Sequence, residues 1–259
     1  MKIYNAEGGN YILEFSNGKC FWGDKWSFPL DRLDRLRFFL SGNSEDNVIL
    51  LSGPKASGKD LLTTSLVQEI AGSDYMFLRS SDLTKHLIEM LTSHRDDKTG
   101  DNLDANMRAY IENLSSKSIL VVDEMIDITY STGLESYVTE ILHRVCLNGT
   151  RVLLVGPMYA DSSLERMALR IMPGHSVVMQ AQLISSGTAQ LFAKERAKQL
   201  GLDLSDAQIG RLVDGLCAYP PLINSALLYC HLITAMGIPI NISEITNIFN
   251  KRAIKDSAA

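Results

Sequence analysis

The chain of 259 residues is 46% hydrophobic, has a formal net charge of −5 and contains four cysteines. That size and apolar content suit one α/β domain with a smaller appendage, and the acidic balance argues against a general nucleic-acid binder, leaving only a local basic face. Cys20, Cys146, Cys217 and Cys230 form no C-x-x-C pair and have no histidine at metal-ligand spacing, so they read as buried free thiols of a reducing compartment rather than a zinc site or disulfide framework.

The first ten residues contain no apolar signal-peptide core, and no run approaches the roughly 18 apolar residues of a membrane span. The expected location is cytoplasmic, with no membrane partner. Residues 11–28 alternate around Ser16-Asn17-Gly18-Lys19, a hairpin signal. Trp26 and Phe28 read either as anchors of that hairpin on the body or as a stacking face for a nucleobase. Leu30 to Leu40 is an amphipathic helix, with apolar residues at 30, 33, 36, 39 and 40.

The apolar run Val48 to Ser52 predicts a buried strand and Leu61 to Ile70 a helix. Between them, Gly53-Pro-Lys-Ala-Ser-Gly-Lys-Asp60 has the G-x-x-x-x-G-K spacing of a phosphate-binding loop. The spacing has a physical purpose. Glycines at both ends let successive N–H groups wrap phosphates, the helix N-terminus supplies positive potential, and Lys59 reaches the terminal phosphates. Gly53, Pro54, Lys55, Ala56, Ser57, Gly58, Lys59, Asp60 and Leu61 are therefore the expected nucleotide-binding residues. The pattern asks for Ser or Thr where Asp60 stands. Asp60 reads either as a Mg²⁺ ligand or as an acid that only caps the new helix, worth about 0.3–1 kcal/mol.

Further along, Tyr75 to Leu78 reads as a strand, Ser81 to Leu91 as a helix, Thr92 to Asp104 as a polar connector and Ala105 to Leu114 as a helix. Ser118 to Glu124 is a buried strand ending in two acids, expected to be central and adjacent to the loop. Asp123 is the expected second Mg²⁺ ligand, and Glu124 the group that polarises the attacking water. Leu134 to Leu147 is helical, Arg151 to Val155 a strand, and Arg166 and Arg170 share one face of a short helix. From about Thr188 strands give way to helices at 188–200, 205–217, 221–236 and 243–253. Alternating strands and helices predict a doubly wound parallel sheet with its ligand at the carboxyl ends of the strands. The expected division is a hairpin extension at 1–28, a P-loop α/β nucleotide-binding domain at 29–186 and a small helical lid at 187–259.

On these segments the chain resembles the AAA+ ATPases, and within them the DnaA/Hda-like clade of bacterial replication initiators, over about residues 28–250. The segments that carry the resemblance are Lys59 to Glu69, Tyr75 to Leu91, Ile119 to Glu124 and Leu164 to Gly174. The resemblance implies ATP/ADP with Mg²⁺ as ligands and the loop and acidic strand as Walker A and Walker B motifs. It places Arg170 as an arginine finger on a neighbour's nucleotide, and implies self-association or a DnaA-type partner in regulating replication initiation. The polar sensor expected after Val155 falls on Gly156-Pro157, and the lid arginine falls near Pro220-Pro221. Together with Asp60, these departures imply weak or absent hydrolysis, so a switch fits better than a motor. The family's helix-turn-helix domain does not follow the lid here, so direct origin recognition is not expected, although DNA contact through the body stays open. Residues 1–18 show no clamp-binding motif. Alternative readings are a helicase-loader or transposition-helper ATPase of the same superfamily, a non-hydrolysing scaffold, or a P-loop small-molecule kinase. The kinase reading lacks an Arg-rich lid.

Overall fold

In the computed structural model, the described residues are 1–93, 101–125, 133–157 and 163–256. Eight strands and ten α-helices can be placed among them. In chain order they are β1 (Lys2–Asn5), β2 (Asn10–Glu14), β3 (Cys20–Asp24), α1 (Leu30–Leu40), β4 (Val48–Ser52), α2 (Lys59–Ala71), β5 (Tyr75–Arg79), α3 (Ser80–Ser93) and α4 (Asp101–Leu114). After these come β6 (Ile119–Asp123), α5 (Leu134–Leu147), β7 (Arg151–Gly156), α6 (Ser163–Ile171), β8 (Ser176–Gln180), α7 (Ser186–Gln199), α8 (Asp206–Gly215), α9 (Pro220–Ala235) and α10 (Ile242–Asp256).

The chain divides into two compact units. One comprises Leu30–Gln182 with Met1 and the hairpin turn Phe15–Lys19; the other comprises Lys2–Glu14, Cys20–Pro29 and Leu183–Ala259.

In the first unit five parallel strands lie in the order β5-β6-β7-β4-β8. Successive side chains of a strand point to opposite faces. Val48, Leu50, Leu120, Val122, Val152 and Leu154 accordingly join the buried faces of α3, α4, α5 and α6 in one cluster. Ile49, Leu51, Val121, Leu153 and Val155 are equally buried. A sheet covered on both faces needs apolar residues at every position, which is why these strands read as unbroken apolar runs.

The acidic strand is not where the sequence reading puts it. β7, not β6, is the middle strand, and it separates β6 from β4. The acids at the end of β6 and the loop after β4 therefore stand apart by one strand, across the carboxyl edge of the sheet. Two strands escape the sequence reading, β1 and β8. β8 has only Val177, Val178 and Met179 as its apolar run and is an edge strand with intermediate exposure along most of its length, so it carries neither a long hydrophobic run nor a clean alternation. The polar connector also ends early, because α4 begins at Asp101; part of it, 94–100, lies outside the described residues.

The second unit packs α7 to α10 around Ala189, Ala193, Leu212, Ile223, Leu227 and Ile245. Its three-stranded antiparallel sheet, β1-β2-β3, joins those helices through Trp22, whose ring meets Phe192 edge to face at 5.5 Å. Phe28 is fully buried, as an anchor should be, but Trp26 is 66% exposed with Lys25 Nζ over its ring at 5.1 Å. The thiols also split: Cys146 and Cys230 are buried, Cys20 is half-buried and Cys217 is exposed in a left-handed turn after α8. All four are free.

Candidate functional site

The loop Gly53–Gly58 leaves β4 at the carboxyl edge of the sheet and turns into α2. Its backbone is held open by two left-handed residues, Ala56 with φ 68° and Gly58 with φ 82°. Gly58 bears that conformation without strain, whereas alanine pays for it, as residues at ligand sites often do. The Gly53 N–H donates to the Gly156 carbonyl at 3.2 Å, tying the loop to β7. Any Cβ on Gly53 would lie 2.7 Å from the Ala181 carbonyl oxygen and 3.0 Å from Ser57 Oγ. Backbone carbonyls cannot step aside as flexible side chains do. Gly53→Ala should therefore lower thermal stability by about 1–3 kcal/mol, read as a fall of several degrees in melting temperature.

Within the loop, Ser57 is 1% exposed, and its hydroxyl has no hydrogen-bond partner among the described residues. A buried hydroxyl left unpaired calls for an explanation, and a polar ligand in the loop supplies one. The Lys59 side chain is 9% exposed, with Nζ 3.3 Å from Asp60 Oδ1. Pro54, Ala56 and Gly58 are half-buried, while Lys55, Asp60 and Leu61 are exposed at the rim.

β6 ends at Asp123, half-buried, with Glu124 exposed beside it. Glu124 adopts φ 54°, a left-handed turn that a non-glycine residue holds only when its surroundings fix it. Three contacts do so. Asp123 Oδ1 accepts the Glu124 N–H at 2.8 Å, the Ser80 hydroxyl donates to the Glu124 carbonyl, and the Met125 N–H donates to Val155 O at 3.2 Å. Burial raises the Asp123 carboxyl above its ordinary range and the charges of Asp60 and Glu124 push the same way, against the hydrogen bond from the Glu124 N–H and a smaller pull from Lys59. Asp123 thus shares an electrostatic site with Lys59 and Asp60 although a strand intervenes. Ser80, which fixes the turn, was missed in the sequence; as the first residue of α3, read instead as starting at Ser81, it carries no motif that marks it.

Arg170 extends from α6 and pairs with Glu135 in the first turn of α5; among the described residues it has no ion pair with the loop. Arg166 is exposed on the same helix. At the expected sensor position, Gly156 is the last residue of β7, and a Cβ there would sit 2.5 Å from Leu164 Cδ2. That contact is the end of a leucine side chain on α6, which can rotate aside, so packing alone does not demand a glycine there. Pro220 and Pro221 occupy the first turn of α9, where a fixed φ suits a helix start.

The donor set fits a nucleotide with a cation. No group of three or more His, Cys, Asp or Glu among the described residues holds a metal by itself, and Mg²⁺ characteristically takes only one or two carboxylates plus substrate phosphates. None of the described helices is long and apolar enough to cross a membrane.

No family model and no curated protein matches the chain; solved structures do. It is similar to domain III of the replication initiation protein DnaA from Thermotoga maritima, with TM-score 0.63 and 12% identity over 85% of this chain and 91% of that one. AMPPCP-bound DnaA from Aquifex aeolicus matches with TM-score 0.51 and 16% identity over 70% of this chain and 56% of that one. RuvB from Thermotoga maritima matches with TM-score 0.57 and 14% identity over 87% and 70%. At such identities the likeness is one of architecture, and with the parallel five-stranded sheet and helical C-terminal region it gives the chain the AAA+ P-loop fold.

Proposed function

We propose that this chain binds ATP or ADP with Mg²⁺ in the loop Gly53–Leu61 and works as a DnaA-type nucleotide switch in the regulation of replication initiation. The observation that carries this reading is the loop itself: two left-handed residues, a glycine that tolerates no side chain, a buried hydroxyl without a partner among the described residues and a buried lysine. Ser57 and the amides of Gly58, Lys59 and Asp60 would receive the phosphates, with Lys59 as counter-charge. Asp60 and Asp123 would hold the cation, which when bound neutralises phosphate charge. Glu124, held outward by its turn, would orient water. Residues 29–186 serve as the nucleotide-binding domain and 187–259 as the lid, in the cytoplasm.

Weak or absent turnover accompanies this assignment, because Asp60, Gly156 and Pro220-Pro221 replace groups expected to read the terminal phosphate. The remaining signal is assembly, with the same chain or a DnaA-type AAA+ partner. Arg170 would contact the neighbour's nucleotide after leaving Glu135.

Size-exclusion chromatography with ADP and with a nonhydrolysable ATP analogue tests this. The parent should assemble only with the triphosphate analogue, and Arg170→Ala should stay at the ADP position with both. The Arg170–Glu135 pair is more than half exposed on the arginine side, and exposed ion pairs contribute about 0–1 kcal/mol, so the variant should fold normally. Assembly indifferent to nucleotide and to the mutation contradicts the switch.

A further inference from the structure

Building on the nucleotide-site reading above, we infer that Asp60 is an internal competitor for the nucleotide's terminal phosphate. Without a divalent cation, the loop should hold a nucleoside diphosphate in preference to the triphosphate. Lys59 lies almost wholly inside the protein, and its one ion pair among the described residues is with Asp60, at 3.3 Å. At that position the motif ordinarily supplies a neutral hydroxyl, which leaves the lysine free for phosphate. Here the ammonium already has an anion.

Asp60 competes a second time through the backbone. It sits in the first turn of α2, where a carboxylate draws on the same helix N-terminal potential that a phosphate would use. The loop nevertheless stays receptive to phosphate, since the Ser57 hydroxyl is buried and unpaired among the described residues.

A triphosphate brings one more phosphate group and more negative charge into this acidic neighbourhood than a diphosphate does. Like charges near contact in a partly buried site easily change affinity by an order of magnitude. With a divalent cation present, Asp60 and Asp123 spend their charge on it, and Lys59 is released to phosphate. Cation supply, rather than nucleotide supply alone, would then decide which nucleotide the site keeps.

Fluorescent ADP and ATP analogues are titrated into the full chain in EDTA and in Mg²⁺, for the parent, Asp60→Asn and Asp60→Ser, with unliganded melting curves as the folding control. In EDTA the parent should bind ADP about tenfold more tightly than ATP. Both variants should tighten ATP by about tenfold and ADP by less, closing the gap. Mg²⁺ should close it in the parent and change the variants less. If Asp60→Asn fails to fold, Asp60→Ser carries the comparison. Equal affinities in EDTA for the parent, or a gap that survives in a folded variant, overturns the inference and leaves nucleotide binding intact. Absence of saturable binding of either nucleotide in either buffer removes the nucleotide-site reading and this inference together.

Discussion

Lys59→Ala should weaken nucleotide binding about 100-fold and remove most of the ligand-induced stabilisation. The Lys59 side chain is nine-tenths buried at the start of α2. Removing one member of a buried charge pair costs about 2–5 kcal/mol in binding, and about 2.7 kcal/mol corresponds to that 100-fold loss. Thermal unfolding gives the readout. At a ligand concentration of about 100 times the dissociation constant, the parent gains about 2.7 kcal/mol of stability, whereas the variant at the same concentration should show almost none. The unliganded variant should melt close to the parent, because its partner Asp60 is largely exposed, at 61%, and returns to water at little cost. An equal shift in both proteins would separate the lysine from the ligand.

The second large effect lies in the unit that carries the C-terminal helices. Asp24 ends β3 and is 1% exposed. Its Oδ1 accepts the N–H groups of Trp26 at 2.8 Å and Ser27 at 2.7 Å, and its Oδ2 accepts the Ser185 N–H at 3.2 Å and the Thr188 hydroxyl at 2.7 Å. Ser185 is also the N-cap of α7. One carboxylate therefore satisfies donors from the hairpin and from the start of the helix. Burial alone would raise this carboxyl, but bonds from Ser185, Thr188, Ser27 and Trp26 outweigh it and hold it at about 2. Asp24→Ala leaves the N–H groups of Trp26, Ser27 and Ser185 without their acceptor, while the Thr188 hydroxyl keeps Asn10 Oδ1 at 2.7 Å; the change should cost about 3–5 kcal/mol, given about 1–3 kcal/mol for each unsatisfied buried group and partial recovery by water.

The pH dependence has a definite sign. A carboxyl lowered from 3.8 to about 2 on folding adds about 2 kcal/mol that is present above about pH 4 and lost as pH falls toward 2. Trp22 and Trp26 are the only two tryptophans, and both belong to this unit, so intrinsic fluorescence during urea unfolding follows it directly. Asp24→Asn should lower the midpoint and flatten its decline between pH 4 and pH 2. A midpoint unmoved by Asp24→Ala contradicts this account of the network.

Much of this was legible in the residues. Buried parallel strands announce themselves because both faces must be apolar, so Val48 to Ser52 and Ile119 to Asp123 stand out. The amphipathic Leu30–Leu40 helix is matched end to end, since burial at positions 33, 36, 39 and 40 imposes helical spacing. Strand order was not legible: nothing in Arg151 to Val155 says that it inserts between β4 and β6, because sheet neighbours are chosen by crossovers rather than by local composition. The loop's residue types were visible, but the Lys59–Asp60 contact and the Ser80 hydroxyl that fixes Glu124 depend on side-chain geometry that spacing does not encode. Asp24 carried no signal at all, because a buried carboxylate and a surface turn carboxylate look alike when their donors come from a segment 161 positions away, as Ser185 does.

Amide hydrogen exchange of the full chain, with and without Mg²⁺ and ATP, tests the central claim most directly. The account predicts slowed exchange in the peptide covering Ser57, Gly58, Lys59 and Asp60, whose amides would point at phosphate, with a smaller effect at Asp123 and Glu124. Unchanged exchange across Gly53 to Leu61 at saturating nucleotide, or protection appearing only elsewhere in the chain, would contradict it.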